Sequence, residues 1–210
     1  MHCTNVHRRV LTVTGNGKVT AKASYIQIEI AVSTRGQDIR KAQQDNANSM
    51  NRVIQSILAL NIPREAIQTA AYTISPTYDY IEGKQVFRDY VVTNAITVKV
   101  TDISQAGKVM DVAVQNGANQ ISSLQFQIEN ADVYYQQALS LALQNAQMKA
   151  KTIAETMHLP LYPQPIEIVE ERTEGPALYR QVAMANEAIS TPIEQGEMTI
   201  SATVRVKFHY

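Results

Sequence analysis

The stretch YIQIEIAVSTRGQDIRKAQ, residues 25–43, changes its hydrophobic period halfway along. Ile26, Ile28 and Ile30 alternate with polar residues, which predicts a half-buried strand. The segment STRGQD breaks this alternation, and from Asp38 onward the apolar residues recur every three or four positions. The chain therefore passes from a strand into an amphipathic helix.

This first helix is expected over residues 38–60, because Asn61 and Pro63 then end the pattern. Its apolar face comprises Ile39, Ala42, Asn46, Met50, Val53 and Ile57. The segments AIQTAAYTISPTYDY and RDYVVTNAITVKV follow, joined by a short loop that contains Gly83. Two strand patterns around such a loop predict a β-hairpin.

A second helix is expected over residues 104–116 and is stopped by Gly117, a natural left-handed residue at a helix end. Its inward face comprises Val109, Met110, Ala113 and Val114. The segment ISSLQFQIE then predicts another strand. These elements make a β-α-β-β-α-β series, like that of ferredoxin-type domains.

The longest helix is expected over residues 131–158, with Asn130 or Asp132 capping its first turn. Alanines recur along it at four-residue steps: Ala138, Ala142, Ala146, Ala150 and Ala154. This alanine ridge would let the helix lie close to a sheet or to another helix. Residues 173–196 show no clean period and are interpreted as a long loop that could hold a short strand, and EMTISATVRVKFHY predicts the final strand.

The order of elements predicts an α+β fold with an antiparallel-rich sheet or sheets. The β-α-β-β-α-β unit comes first, followed by the long third helix and the C-terminal strands, with all three helices against the sheet. Residues 1–9 are expected to form a flexible tail, and residues 10–210 a single domain with sub-lobes of about 10–130 and 131–210.

The segment TGNGKV, residues 14–19, carries two glycines and a lysine, as phosphate-binding loops do. A Walker loop has four residues between its glycines, whereas one residue separates Gly15 from Gly17, and Val19 stands where Ser or Thr is needed. In a dinucleotide-binding loop the glycines lie at the start of a helix, whereas a strand is expected after Gly17. The glycines are therefore interpreted as places for a bulge, a twist or a close backbone approach.

The charge and the composition exclude several classes of protein. Nineteen basic residues balance nineteen acidic ones, so nucleic acid is not expected as a partner. Cys3 is the single cysteine, so no disulfide can form within the chain. No apolar run approaches the roughly 18 residues that a transmembrane helix needs. The N-terminal residues lack the apolar region of a secretory signal. A cytoplasmic location is expected as written, and an exported one if a leader was removed.

No catalytic or metal-binding constellation is evident in the sequence. The four histidines show no metal-ligand spacing, and no GxSxG motif occurs: His2, His7, His158 and His209. His158 is interpreted as complementing the dipole at the end of the long helix. The chain is therefore expected not to be an enzyme and to need neither cofactor nor metal.

Tyr78 and Tyr80 lie two apart in an expected strand, on one face, just after Pro76. They are candidates for interface or ligand contacts, although strands favour half-buried aromatics in any case. The polar faces of the expected strands carry mostly uncharged residues. Such faces can meet water or another subunit without burying charge.

Several segments occur in the order seen in SIMPL-domain proteins: LTVTGNGKVTAKASYIQIEIAVST, IQTAAYTISPTYDY, VTNAITVKVTD, NGANQISSLQFQIE and ALSLALQNAQMKAKTIA. The closing EQGEMTISATVRVKFHY is also similar to that family's final strand, so the resemblance covers about Val10 to Tyr210. The chain looks most similar to a Bacillus-type, leaderless member. It departs from the family's usual turns at Ala23-Ser24, in place of Pro-Asp, and at Gln195-Gly196, in place of Pro-Gly.

The resemblance implies a bacterial protein without an established biochemical activity, and it brings no catalytic residues with it. It also implies export or membrane association for many members, a link to oxidative stress for some, and assembly into large oligomers for some.

Three classes of function follow from these observations. The leading hypothesis is a non-enzymatic, self-assembling protein, and the loop 173–196 is a candidate arm that orders on a neighbouring subunit. The alternative is a binding module for a peptide or small apolar ligand that uses Tyr78, Tyr80 and this loop, and an enzyme comes third. An apolar pocket beside the two tyrosines would favour binding over assembly.

Overall fold

The computed structural model describes residues 9–171, 177–179 and 191–210. The helices are α1 (Ile39–Leu58), α2 (Ala106–Gln115) and α3 (Ala131–Thr156). The strands are β1 (Val10–Ala21), β2 (Tyr25–Gly36), β3 (Ile67–Ile81), β4 (Lys84–Val100), β5 (Gln120–Gln127), β6 (Pro165–Glu171), β7 (Ala177–Tyr179) and β8 (Glu197–His209). The described strand pairs are all antiparallel, which confirms the α+β class.

The chain divides into two compact units with separate sheets. One unit contains β2 to β5 with α1 and α2, and the other contains β1, α3 and β6 to β8. The three helices therefore do not share one sheet. The boundaries of the units also differ from those of the predicted sub-lobes, about 10–130 and 131–210. The reason is that β1, near the start of the chain, pairs with the last strand, β8, and so belongs to the unit that contains β8.

The first of these, here called the ferredoxin-type unit, has the strand order β3-β4-β2-β5. Its β-α-β-β-α-β sequence of elements agrees with the prediction, and α1 and α2 pack together beside the sheet. The core is aliphatic because every second residue of the central strands points to the helices. Its most buried members are Ile26, Ile28, Ile30, Val53, Ile57, Val98, Val100 and Val109.

Helix α1 buries the expected face from Ala42 to Ile57. The prediction was wrong for Ile39, which is 39% exposed because it is the first helical residue, before contact with the sheet begins. Asp38 caps the helix by accepting a hydrogen bond from the backbone N–H of Arg40 at 2.8 Å. Asn46 is fully buried, and its side chain binds the strand backbone.

Helix α2 begins at Ala106, two residues later than expected, because Asp102 caps a 3₁₀ turn formed by Ile103–Gln105. Val114 was predicted to face inward but is 53% exposed, since it lies one position past the buried Ala113. Gly117 ends the helix in the left-handed conformation, with φ 116°, as predicted.

The second unit, here called the long-helix unit, has the strand order β1-β8-β6, with β7 also paired to β8. Helix α3 packs on β1 and β8, and the whole alanine ridge is buried, as predicted. The expected side-chain cap is absent from α3: Asn130 occupies the cap position with φ 57° and makes no capping bond. Asp132 lies in the first turn, where its negative charge stabilises the positive end of the helix dipole.

The expected long loop 173–196 falls partly outside the described residues, at 173–176 and 180–190. Within it, β7 supplies the anticipated short strand. Residues 191–195 belong to the ferredoxin-type unit, where Ile193 packs against the core. The proposed docking of this loop on a neighbouring subunit remains a prediction.

Candidate functional site

The hairpin of β3 and β4 extends past the rest of its sheet. Pairing between β2 and β4 ends at Gly36 and Tyr90, whereas β3 and β4 stay paired as far as Ile81 and Lys84. Residues 77–89 therefore form a two-stranded extension of the hairpin, the ribbon. Its turn places Glu82 and Gly83 at φ 51° and 76°, the pattern of a tight two-residue hairpin turn.

One face of the ribbon is aromatic. Tyr78 lies directly opposite Phe87, and their rings meet edge to face with centroids 6.1 Å apart. The ring of Phe87 also contacts that of Tyr90, with centroids 5.0 Å apart. Tyr80 follows two residues after Tyr78 on the same face. The aromatic face is therefore formed by Tyr78, Tyr80 and Phe87 of the ribbon together with Tyr90, which follows the ribbon on β4.

This aromatic face continues the surface that is core elsewhere in the sheet. Tyr90 and Val92 lie two apart on β4, and Val92 is fully buried. The chain leaves β2 at Gly36 to enter α1, so no described element covers the ribbon beyond that point. Tyr78 is 44% exposed and Tyr80 76% exposed. Within the described part of the chain, the face is therefore a core-like surface without a layer above it.

The opposite face of the ribbon is mixed in character. Arg88 lies 3.4 Å from Asp79 and 3.7 Å from Asp89, so its charge is shared between two carboxylates. Ile81 and Val86 add exposed apolar area near the tip. The ion pairs make this face compatible with water and leave the aromatic face as the more apolar side.

The outer edge of β3 is poorly suited to strand addition, although β3 is an edge strand. Pro76 lacks a backbone N–H, and the register with β4 shifts between Thr69 and Ala71 and again between Thr77 and Tyr78. Prolines and bulges are common devices that keep edge strands from pairing with another chain. Association through this hairpin would therefore use its face rather than its edge.

The outer edge of β1 is protected differently, by side chains of α3. Asn145 accepts a hydrogen bond from the backbone N–H of Asn16 at 3.1 Å. Lys149 donates to the backbone carbonyl of Thr14 at 2.7 Å. These bonds occupy backbone groups that an added strand would need.

Sequence reasoning identified Tyr78 and Tyr80 but missed Phe87 and Tyr90. Tyr80 is 76% exposed, whereas Tyr78, at 44%, also fits the ordinary interpretation of a half-buried strand tyrosine. Their role as interface or ligand contacts stays a prediction. Counting back from a two-residue turn at Gly83 would have placed Phe87 opposite Tyr78. The ring contact with Tyr90 depends on the irregularity near Arg88, which no sequence pattern signals.

Three cavities lie among the described residues, and neither Tyr78 nor Tyr80 lines any of these three. One of about 650 Å³ lies by the end of α1, near Lys99 and Lys108, and one lies between α2 and Thr191. The third, of about 580 Å³, lies at the end of α3. In the described part of the chain, no three His, Cys, Asp or Glu side chains cluster in a way that could hold a metal ion.

Two carboxylates in the ferredoxin-type unit have structural partners that alter their acidity. Hydrogen bonds from the side chains of Ser104 and Gln105 hold the pKa of Asp102 below its usual value. Thr191 lowers the pKa of Asp111 through its hydroxyl, at 2.6 Å, and its backbone N–H, at 3.1 Å. Hydrogen bonds to the ionised carboxylate favour the charged form and so account for the lowered pKa of each residue.

None of the described helices is both long enough and apolar enough to cross a membrane. Comparison with known proteins finds bacterial proteins of similar sequence. The chain is 27% identical to the 26 kDa periplasmic immunogenic protein of Brucella melitensis, over 94% of this chain and 83% of that protein. It is 26% identical to the uncharacterized protein YggE of Escherichia coli, over 73% of this chain and 62% of that protein.

The SIMPL family, described as a protein of unknown function (DUF541), matches residues 11–208. That match covers nearly every residue of both units. The chain is a member of the SIMPL family.

Proposed function

We propose that this protein is a non-enzymatic, self-assembling protein whose copies join through the aromatic face of the ribbon. The observation that carries the proposal is the exposure of Tyr78, Tyr80 and Phe87 on a surface continuous with the core. Exposed aromatic clusters of this kind mark interaction sites more often than they face water.

A second copy of the chain is the partner that fits best. The chain has zero net charge, so copies repel each other weakly. The aromatic face carries no ionisable side chain other than tyrosine, so two such faces can meet without burying a charged group. A two-stranded ribbon is also marginally stable alone, and packing against a second ribbon would supply the missing layer.

We also propose that the protein is exported rather than cytoplasmic. The printed name of the Brucella relative places that protein in the periplasm, which supports an exported protein over a cytoplasmic one. A role in oxidative stress has support from the family resemblance alone.

Light scattering coupled to size exclusion, over a wide dilution range, tests the assembly. We expect a mass that is a multiple of 23.3 kDa. The double variant Tyr80→Lys with Phe87→Lys should return the mass to that of one chain, because two ammonium groups would have to be desolvated in the contact. The double variant Val133→Lys with Met148→Lys is the matched control, since both are exposed apolar residues of α3 and the change in net charge is the same.

The outcomes separate assembly from the alternative function. A wild-type protein that is monomeric at every concentration would remove the assembly proposal and favour a binding module that presents the ribbon to an apolar peptide. An oligomer that survives the double variant would place the contact elsewhere on the molecule.

A further inference from the structure

The cavity at the end of α3 is built like a small-molecule site. Its volume of about 580 Å³ lies within the usual range for such sites. The floor is apolar and comprises Ala154, Leu159, Leu161 and Phe208, which are buried or half-buried, whereas the fifth apolar lining residue, Pro163, is exposed. The rim is polar and comprises Gln147, Lys151, Glu155 and His158. All of these residues belong to the long-helix unit.

His158 occupies an unusual backbone position at this rim. Its φ is 51°, in the left-handed region, where glycine is the common residue after a helix. The hydrogen bonds from Leu159 N–H to the Ala154 carbonyl, at 2.8 Å, and from His158 N–H to the Glu155 carbonyl, at 3.3 Å, define a Schellman motif. A side chain kept at a strained position is a recognised mark of functional sites.

The rim favours an anionic group. Gln147, Lys151 and His158 can each donate a hydrogen bond, whereas Glu155 is the one carboxylate among the lining residues. Lys151 and Glu155 lie 3.8 Å apart, and both side chains are largely exposed. Such a pair within one helix is weak, so Lys151 can turn toward a ligand at little cost.

We propose that this cavity binds a small monocarboxylate with a short apolar chain. The chain would lie on the floor formed by Leu159, Leu161 and Phe208, and the carboxylate would accept hydrogen bonds from Lys151 and His158. The inference is independent of the assembly, because the aromatic face belongs to the other unit.

Titration with hexanoate, followed by two-dimensional amide NMR of the full chain, tests the proposal. We expect saturable shifts at Lys151, Leu159 and Phe208. Hexan-1-ol, which has the same chain without the charge, should bind about threefold more weakly. Lys151→Met should reduce that difference between the two probes, because His158 remains as the second donor.

Matched tryptophan variants locate the site. Gln147→Trp should fill the cavity from its exposed rim and weaken hexanoate binding by about tenfold or more, because a ring replaces the space for the chain. Gln144→Trp places the same ring on an exposed position of α3 that does not line the cavity, and it should leave binding unchanged.

Three results would overturn the proposal. The first is an absence of saturable shifts in the folded wild-type protein. The second is hexan-1-ol binding equal to that of hexanoate, which would remove the carboxylate from the recognition. The third is undiminished hexanoate binding by Gln147→Trp, which would place the ligand elsewhere.

Discussion

Gly15 of β1 lies so close to Ala146 of α3 that a Cβ added to Gly15 would stand 2.7 Å from the Cβ of Ala146. Gly17 is in the same situation, because its Cβ would lie 2.6 Å from the backbone nitrogen of Ala142. The glycines and the alanine ridge are therefore two halves of one contact. Helix and strand approach each other closely because neither surface carries more than a methyl group at these points.

Enlarging the ridge should separate the helix from the sheet. Ala146→Leu is expected to lower the free energy of unfolding by about 1–3 kcal/mol, because the added carbons overpack a contact without free space. Urea denaturation measures the effect. Gln144→Leu, at an exposed position of the same helix, is the control and should change the midpoint little. Equal midpoints for Ala146→Leu and the wild type would show that the ridge does not carry the contact.

Gly17→Ala tests the same contact from the strand. A single methyl group would meet the backbone of α3, so we expect a loss of stability of about 1–3 kcal/mol despite the higher conformational freedom of glycine in the unfolded chain. Thr12→Ala on the same strand is the control, because Thr12 is exposed. A stabilised Gly17→Ala protein would contradict the close approach.

Asn46 joins α1 to the sheet through two hydrogen bonds. Its side-chain nitrogen donates to the carbonyls of Val32 at 2.8 Å and Val92 at 3.0 Å. Asn46→Ala should destabilise the protein by about 1–3 kcal/mol, because both bonds are lost in a dry environment. Thermal unfolding checks this expectation, with Asn48→Ala at an exposed position of the same helix as control. Similar melting temperatures for the two variants would contradict it.

His158→Gly should stabilise the fold. Glycine adopts φ 51° without steric cost, so we expect a gain of about 0.5–1 kcal/mol in the free energy of unfolding. The same substitution removes one hydrogen-bond donor from the proposed carboxylate site. A variant that is more stable but binds hexanoate more weakly would separate the two roles, and a destabilised one would show that the imidazole supports the helix end.

Thr191 should control the acidity of Asp111. The folded-state pKa of Asp111 lies below the reference value of 3.8, so its bonds contribute stability above that pH, and the contribution is lost as the pH falls through the folded-state pKa. NMR titration of the carboxyl carbon in Thr191→Val should give a higher pKa. Asp102, whose partners are Ser104 and Gln105, should keep its lowered pKa in the same variant. An unchanged titration of Asp111 would mean that the contact is absent in solution.

Periodicity was sufficient for much of this fold because it records which side of each element meets the core. The change of period after Ile30 and the alanine steps from Ala138 to Ala154 each predicted a buried face that the structure contains. Val114 and Ile39 were misjudged because a periodic pattern does not show where contact with the sheet begins and ends.

At Gly15 and Gly17 the sequence left open a bulge, a twist or a close backbone approach, and the contact with α3 shows the close approach. The α+β class, the order of the elements and the close packing of the alanine ridge could be predicted from the sequence. These follow from local periods and from the space that each side chain occupies. Two features are visible only in the folded chain: β1 pairs with β8 at the other end of the sequence, and Phe87 and Tyr90 lie with Tyr78 on one face. Such pairings join residues far apart in the chain or depend on a local irregularity, so no short-range pattern encodes them.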